Sequence, residues 1–201
     1  MRQPGVTFVA GPNGAGKSTL TSGNLDFFSL FPLLDPDALA KPIQADSKNK
    51  HPLAAGREVL DRIHENLRNG SSFAVETTLS GKLYLQTMLE ARRIGFRVSL
   101  VYVGTANVEI NVQRVADRVL LGGHGVPEED IRRRYERSLS NLVIAVPRTD
   151  LTILFDNSRP IAEEISGNAY DLIGVIEGRA TYWADPTPDW AAPLRTSLHN
   201  L

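Results

Sequence analysis

The chain of 201 residues is long enough for one domain built around a single buried core. Its net charge of −1 lacks the basic excess typical of bulk nucleic-acid or membrane-surface binding, and the absence of cysteine excludes disulfides and thiolate metal sites. No run of about 18 apolar residues occurs, so we expect no membrane span and a cytoplasmic protein.

Strand-like and helix-like segments alternate along the chain. Short apolar runs predict strands at 6–11, 30–35, 72–78, 96–104 and 150–158. Helical spacing occurs from about residue 17 and at 52–69, 82–95, 108–119 and 127–146. This alternation predicts an α/β fold with a parallel five-stranded sheet, helices on both faces and right-handed crossovers.

The domain organisation follows from the same pattern. No repeat or linker divides the chain, so residues 1–201 are predicted to form one domain. The helices within 105–146 are interpreted as a lid, because they flank a glycine-rich segment. Residues 160–201 form a C-terminal extension, which contains a predicted hairpin that turns near Gly178.

The segment GPNGAGKSTL at 11–20 lies between the first strand and the first helix. It satisfies the P-loop pattern G-x-x-x-x-G-K-[ST], in which backbone N–H groups surround phosphates and the lysine reaches the β- and γ-phosphates. The following hydroxyl, here Ser18, is the expected Mg²⁺ ligand. The predicted nucleotide-binding residues are Pro12, Asn13, Gly14, Ala15, Gly16, Lys17, Ser18 and Thr19.

The P-loop alone leaves the reaction open, because GTPases, transporters, motor ATPases and small-molecule kinases share it. The chain has no N-K-x-D motif for reading guanine, and LLGGH at 120–124 is a poor match to a transporter signature. No strand ends in the Asp-Glu pair that is usual in hydrolases. These features favour a P-loop kinase.

Acidic and hydroxyl side chains follow the second and third strands, at the sheet edge where ligands bind in such folds. Asp35 and Asp37 follow the second strand, and a carboxylate there can take the proton of an attacking hydroxyl. Asp37 is equally suited to cap the next helix. Glu76 can orient an acceptor hydroxyl or hold Mg²⁺ through water, and Thr77 or Thr78 can hydrogen-bond the acceptor. The alternatives are a salt bridge from Glu76 to a lid arginine and simple strand propensity for the threonines.

Arginines concentrate on either side of the glycine-rich segment LGGHGVP at 121–127. Arg114 and Arg118 share one helical face, where lid arginines can stabilise a transferring phosphoryl group. Most of the run from Arg132 to Arg137 is expected to be a solvated basic face, since three consecutive helical arginines point in three directions. His124 is either a phosphate or substrate contact or a loop histidine bonded to backbone.

The ordered set of motifs resembles the zeta-toxin family of P-loop kinases. GPNGAGKSTL, DPDALA, VETTLSG, an arginine-bearing helix, HGVPEEDIRRRYERSL and DNS follow one another over residues 5 to about 160. The resemblance implies ATP- and Mg²⁺-dependent phosphorylation of a hydroxyl of UDP-N-acetylglucosamine. It also implies an antitoxin protein as a partner.

The resemblance further implies roles for single residues. Asp37 matches the catalytic base, Lys17 the P-loop lysine and Glu76 an acid that contacts the substrate. Arg114 matches an arginine that holds the γ-phosphate.

The second arginine of the family falls near His124, so Arg118 is the candidate replacement. Asn157, in the DNS segment after the fifth strand, is the predicted adenine contact.

We therefore predict an ATP-dependent phosphotransferase that acts on a hydroxyl of a small metabolite, with a UDP-amino sugar as the leading acceptor. Two alternatives remain at this point. One is a kinase of another acceptor, such as a nucleoside, an antibiotic or an RNA end. The other is a nucleotide-dependent regulator that hydrolyses ATP slowly and binds a protein.

Overall fold

The computed structural model describes residues 3–23, 32–35, 52–159 and 170–199. Its strands are β1 (Gly5–Ala10), β2 (Leu33–Leu34), β3 (Phe73–Thr77), β4 (Arg97–Gly104), β5 (Leu151–Asp156), β6 (Asp171–Glu177) and β7 (Ala180–Trp183). Its α-helices are α1 (Lys17–Gly23), α2 (Pro52–Asn69), α3 (Leu83–Arg93), α4 (Val108–Leu120), α5 (Glu128–Ala145) and α6 (Ala192–His199). Across these ranges no helix has the length and apolarity needed to cross a bilayer.

The strands of the described residues form one sheet in the order β2-β3-β1-β4-β5-β6-β7. The first five in the chain are parallel, which confirms the predicted core of the sheet. The predicted total of five strands is wrong, because β6 pairs antiparallel with β5 and β7 pairs antiparallel with β6. The hairpin near Gly178 is present as predicted; its sequence pattern could not show which strand it joins.

The central strands β1 and β4 are buried along most of their length, which explains their nearly continuous apolar sequences. Phe8 of β1 and Tyr102 of β4 are fully buried. Because β1 and β3 are adjacent and parallel, with Val9 opposite Glu76, the end of β3 lies beside the start of the phosphate loop. The topology thus places the residues predicted to bind the acceptor beside the loop predicted to bind the nucleotide.

The predicted lid comprises α4, α5 and the segment that joins them. Leu142 and Ala145, near the end of α5, are buried in the main core. A closing movement of the lid would therefore leave the end of α5 in place. The mobility of the lid stays a prediction.

The C-terminal extension completes the core at the carboxyl ends of β4 and β5. Trp190 lies so close to β4 that a Cβ on Gly104 would come within 2.5 Å of its ring. The Trp190 indole N–H donates to Oδ2 of Asp156 (2.6 Å), and Oδ1 of Asp156 accepts from the backbone N–H of Ser158 (2.9 Å). The extension therefore fixes the turn after β5.

Candidate active site

The phosphate loop between β1 and α1 is closed by its own hydrogen bonds. The backbone N–H of Ala15 and the Nζ ammonium of Lys17 both donate to the carbonyl of Pro12, at 3.2 and 3.1 Å. Lys17 is buried, with 8% of its surface exposed. A buried lysine in a closed glycine-rich loop is the arrangement expected of a P-loop that holds phosphates.

Two side chains from outside the loop hold its far side. The Nδ2–H of Asn157 donates to the carbonyl of Ala15 (2.9 Å), and the Tyr170 hydroxyl donates to the carbonyl of Gly16 (2.8 Å). Gly16 has a φ of 99°, and a Cβ there would lie 2.3 Å from Nδ2 of Asn157, so glycine is required. The structure thus gives Asn157 a buried supporting role in the loop, and its predicted adenine contact stays a prediction.

A buried asparagine of α4 holds the loop from another direction. Asn111 is fully buried, its Nδ2–H donates to the carbonyl of Asn13 (2.7 Å), and its Oδ1 accepts from the Thr105 hydroxyl. Sequence analysis missed Asn111. A signal was available in its position: Asn111 lies three residues after Val108 and four before Val115, on the apolar stripe of the helix. A polar amide on such a stripe is buried and needs hydrogen-bond partners.

Glu76 and Ser18 meet where β3 ends beside the phosphate loop. The Ser18 hydroxyl donates to Oε1 of Glu76 at 2.8 Å, and Glu76 is 7% exposed. This contact is with the residue predicted to bind Mg²⁺, and the alternative salt bridge from Glu76 to a lid arginine stays a prediction. The two side chains offer oxygen ligands of the kind that Mg²⁺ prefers.

A cavity of about 190 Å³ opens between the phosphate loop and the ends of β2 and β3. It is lined by Asn13, Lys17, Asp35, Glu76, Thr77, Thr78, Tyr84 and Arg134. Most of these residues were predicted for the site, whereas Tyr84 and Arg134 were not. Asp37 lies outside the described residues, two positions after Asp35.

The two threonines of the cavity also shape the turn after β3. The Thr77 hydroxyl accepts from the backbone N–H of Leu79 (3.0 Å), which has a positive φ of 54°. The Thr78 hydroxyl shares a hydrogen bond with that of Ser80 (2.9 Å). Thr77 is buried and Thr78 half-buried, so Thr78 is the better exposed of the two predicted acceptor contacts.

Tyr84 provides an aromatic wall to the same cavity. Its ring packs edge-to-face against Phe8, with centroids 6.3 Å apart. Burial and, to a smaller extent, the charge of Asp35 raise the pKa of the Tyr84 phenol. The hydroxyl therefore keeps its proton at neutral pH and can donate a hydrogen bond to an acceptor.

The two arginines predicted to hold the γ-phosphate lie elsewhere. Arg114 donates to the carbonyls of Asn157 and Arg159, both at 2.8 Å, and lines a separate cavity of about 460 Å³ with Ser158. Arg118 is exposed near the end of α4. Neither lines the cavity of Lys17 in this structure, and their predicted contact with the γ-phosphate stays a prediction.

His124 is exposed in the segment between α4 and α5 and lines neither of the two cavities described above.

The arginine run of α5 divides into different roles. Arg132 bonds Glu109 on α4 at 2.6 and 2.8 Å, and its hydrogen bond lowers the pKa of Glu109. Arg133 is exposed and pairs with Asp130 (2.6 Å). Arg134 instead donates to Oδ1 of Asn13 in the phosphate loop (3.2 Å). The predicted solvated face thus holds for Arg133 but not for Arg134.

Comparison with known proteins places the chain in a family. No family model matches it. An uncharacterized protein of Haemophilus influenzae is 38% identical over 128 residues, which are 64% of this chain and 90% of that protein. The chain belongs to the same family as this protein.

Solved structures share the whole fold. The AvrRxo1-ORF1:AvrRxo1-ORF2 complex with sulphate ions matches 98% of this chain and 76% of its own, with a TM-score of 0.68 and 15% identity. A structure from the PezAT chromosomal toxin–antitoxin system of Streptococcus pneumoniae matches 100% and 88%, with a TM-score of 0.58 and 15% identity. At these identities the likeness concerns the fold, and it confirms the P-loop kinase fold expected from the zeta-toxin resemblance.

Proposed function

We propose that this protein is an ATP-dependent kinase that transfers the γ-phosphoryl group to a hydroxyl of a small metabolite. The observation that carries the proposal is the cavity in which the P-loop Lys17 faces the same space as Asp35 and Glu76. A phosphate-binding cation and carboxylates that can handle an acceptor hydroxyl are the two halves of a phosphoryl-transfer site.

The nucleotide in this proposal is ATP. Its phosphates would occupy the loop around Lys17, and its base the larger cavity beside Arg114 and Ser158. Arg114, which lines that cavity, donates to the carbonyl of Asn157, and the side chain of Asn157 bonds the loop, so the two subsites are neighbours. The AvrRxo1-ORF1:-ORF2 complex has also been solved with ATP, at a TM-score of 0.58 and 17% identity over 98% of this chain and 64% of that one.

Magnesium suits the oxygen ligands at the mouth of the loop. Ser18 would hold it through its hydroxyl, and Glu76 directly or through water, with nucleotide phosphates completing the shell. Its chemistry here is to neutralise charge on the β- and γ-phosphates during transfer.

The reaction then needs one proton acceptor and one leaving group. The acceptor oxygen forms a bond to the γ-phosphorus while the bond from that phosphorus to the β–γ bridging oxygen breaks, and ADP departs with the electron pair. The proton of the hydroxyl passes to a carboxylate, which we assign to Asp37. Asp35 and Tyr84 line the cavity close by and would orient the acceptor.

A UDP-amino sugar is the leading acceptor because of the zeta-toxin resemblance. The cavity of about 190 Å³ beside Lys17 would take the reacting sugar ring. The hydroxyls and carboxylates of Thr78, Glu76 and Asp35 suit a ring with several hydroxyl groups. An antitoxin is the proposed protein partner, in line with the toxin–antitoxin system to which one similar structure belongs.

The substitution Asp37→Asn tests the proposed base. We expect ATP affinity to be kept and phosphoryl transfer to fall by about 10²- to 10⁴-fold, because the amide cannot accept the proton. The measurement is mass spectrometry of UDP-N-acetylglucosamine incubated with ATP, Mg²⁺ and enzyme, which should show the gain of one phosphate with wild type only.

Asn caps a helix as well as Asp does, so a loss of transfer could not be blamed on a lost cap. Asp35→Asn serves as the neighbouring control and should lose less transfer, since Asp37 stays intact. Retained transfer in Asp37→Asn would refute the base assignment. No phosphate gain with wild type would refute this acceptor.

A further inference from the structure

We propose that Arg134 is the arginine that stabilises the transferring phosphoryl group, in place of Arg114 and Arg118. This inference rests on the proposed function and deepens it by assigning the missing cation of the site. Its starting point is the cavity of Lys17, where Arg134 is the one lining arginine among the described residues.

The position of Arg134 on α5 directs it towards the phosphate loop. The buried face of α5 runs through Ile131, Ser138 and Leu142, and Arg134 falls on it, three residues after Ile131 and four before Ser138. Arg133 lies one position earlier and is exposed, with 48% of its side chain in solvent against 33% for Arg134.

Two hydrogen bonds fix this face of the helix beside the site. The hydroxyl of Tyr135 donates to the carbonyl of Thr105 (2.8 Å), and the hydroxyl of Ser138 shares a hydrogen bond with that of Tyr102 (2.9 Å). They come one residue and four residues after Arg134. The helix is therefore held against the ends of the sheet at the level of the arginine.

The contacts of Arg134 hold it at the loop and leave it donors for a ligand. Nη1 donates to Oδ1 of Asn13 at 3.2 Å, and Nη2 lies 3.7 Å from Oδ2 of Asp130. A guanidinium has five N–H donors, and these contacts with described residues use only part of them. Asn13 is itself fixed by Asn111, so the arginine is positioned on a supported loop.

This placement suits the charge that develops during phosphoryl transfer. In the transition state the charge spreads over the three equatorial oxygens of the γ-phosphoryl group, between the attacking hydroxyl oxygen and the departing ADP oxygen. Lys17 and Arg134 reach the same cavity, so together they can neutralise those oxygens without moving at the moment of reaction.

The geometry of the other two arginines supports the assignment. Arg114 is bonded to two backbone carbonyls and faces the larger cavity, where it would contact the nucleotide base. Arg118 is exposed.

The substitution Arg134→Ala is therefore expected to lower kcat by about 10³-fold. Arg133→Ala removes a guanidinium group from the preceding residue, which is exposed, and should change kcat by no more than about twofold. Arg134→Lys should fall between, because lysine keeps the charge but lacks the planar fork. Low, non-denaturing concentrations of guanidinium ion should restore part of the activity of Arg134→Ala.

A binding measurement separates catalysis from structural support. Aluminium fluoride with ADP and Mg²⁺ mimics the transferring phosphoryl group, so wild type should bind it more tightly than ADP alone. In Arg134→Ala this preference should disappear while the affinity for ADP is kept. If Arg134 only supported Asn13 and the loop, ADP affinity would fall as well and guanidinium would restore nothing, which would overturn the inference.

The outcomes also distinguish this inference from the proposed function. An active wild type with Arg134→Ala as active as Arg133→Ala would overturn the role of Arg134 alone. A wild type that shows neither phosphoryl transfer nor preference for the aluminium fluoride complex would contradict the proposed function, and the role of Arg134 would fall with it.

Discussion

Lys17→Met should abolish phosphoryl transfer, with kcat lowered by about 10³-fold or more. The methionine keeps the length and the apolar stem of a side chain that is 8% exposed, but it carries no charge for the β- and γ-phosphates. The substitution also removes the hydrogen bond from Nζ to the carbonyl of Pro12. We therefore expect the circular dichroism spectrum to remain that of wild type while turnover with ATP is lost.

Lys82→Met is the matched control for this change. Lys82 is exposed at the start of α3 and lines neither cavity of the proposed site, so its loss should leave turnover within about twofold of wild type. A Lys17→Met protein that is folded and retains more than about a tenth of wild-type turnover would contradict the phosphate-binding role of the loop.

Gly16→Ala is expected to have the largest effect on stability. The residue adopts a φ of 99°, and its new Cβ would meet Nδ2 of Asn157 at 2.3 Å and the Tyr170 hydroxyl at 3.1 Å. Backbone strain of this kind costs about 1–3 kcal/mol, and the displaced side chains would release the loop they hold. Urea unfolding should show a lower free energy of unfolding, and ATP binding should be lost.

Gly56→Ala is the matched glycine control and should act in the opposite direction. Gly56 lies exposed in α2, and, apart from its chain neighbours and the nearby backbone of its own helix, no atom of the described residues lies within 4 Å of where its Cβ would be. Replacing a helical glycine by alanine should raise the free energy of unfolding by about 0.5–1 kcal/mol and leave ATP binding unchanged. If both alanine variants behaved alike, the strain at Gly16 would be refuted.

The phosphate loop and the parallel part of the sheet could be predicted from the sequence because their signals are local. The P-loop pattern fixes Gly16, Lys17 and Ser18 in a known loop geometry. A parallel sheet then places the carboxyl end of β3 beside that loop, which is why Glu76 could be predicted from the sequence.

The strand that pairs with the hairpin could not be predicted, because this pairing depends on contacts between residues far apart in the chain. The residues of β6 and β7 show alternation and a turn at Gly178, which fix a hairpin but not the strand that it extends. Trp190 shows why the join is stable: it covers Gly104 and bonds Asp156, contacts between residues that are 86 and 34 positions apart (190 − 104 and 190 − 156). Such contacts leave no trace in local periodicity.

The arginines illustrate a further limit of reading one sequence. Helical spacing correctly put Arg114 and Arg118 on one face of α4, but it could not tell towards which cavity that face turns. In α5 the spacing does place Arg134 between Ile131 and Ser138, on the buried face of the helix. Packing against the sheet decides the direction, and only the structure shows the packing.

The fate of the γ-phosphoryl group tests the central claim most directly. The protein is incubated with Mg²⁺, a bacterial metabolite extract and ATP labelled in its γ-phosphoryl group, with Lys17→Met in parallel. We predict that wild type transfers the label to an organic phosphate ester and that Lys17→Met does not. Two results would contradict a kinase at this site. In the first, the label appears only as inorganic phosphate, at a rate no greater than without protein. In the second, it appears only as inorganic phosphate and at the same rate with Lys17→Met as with wild type.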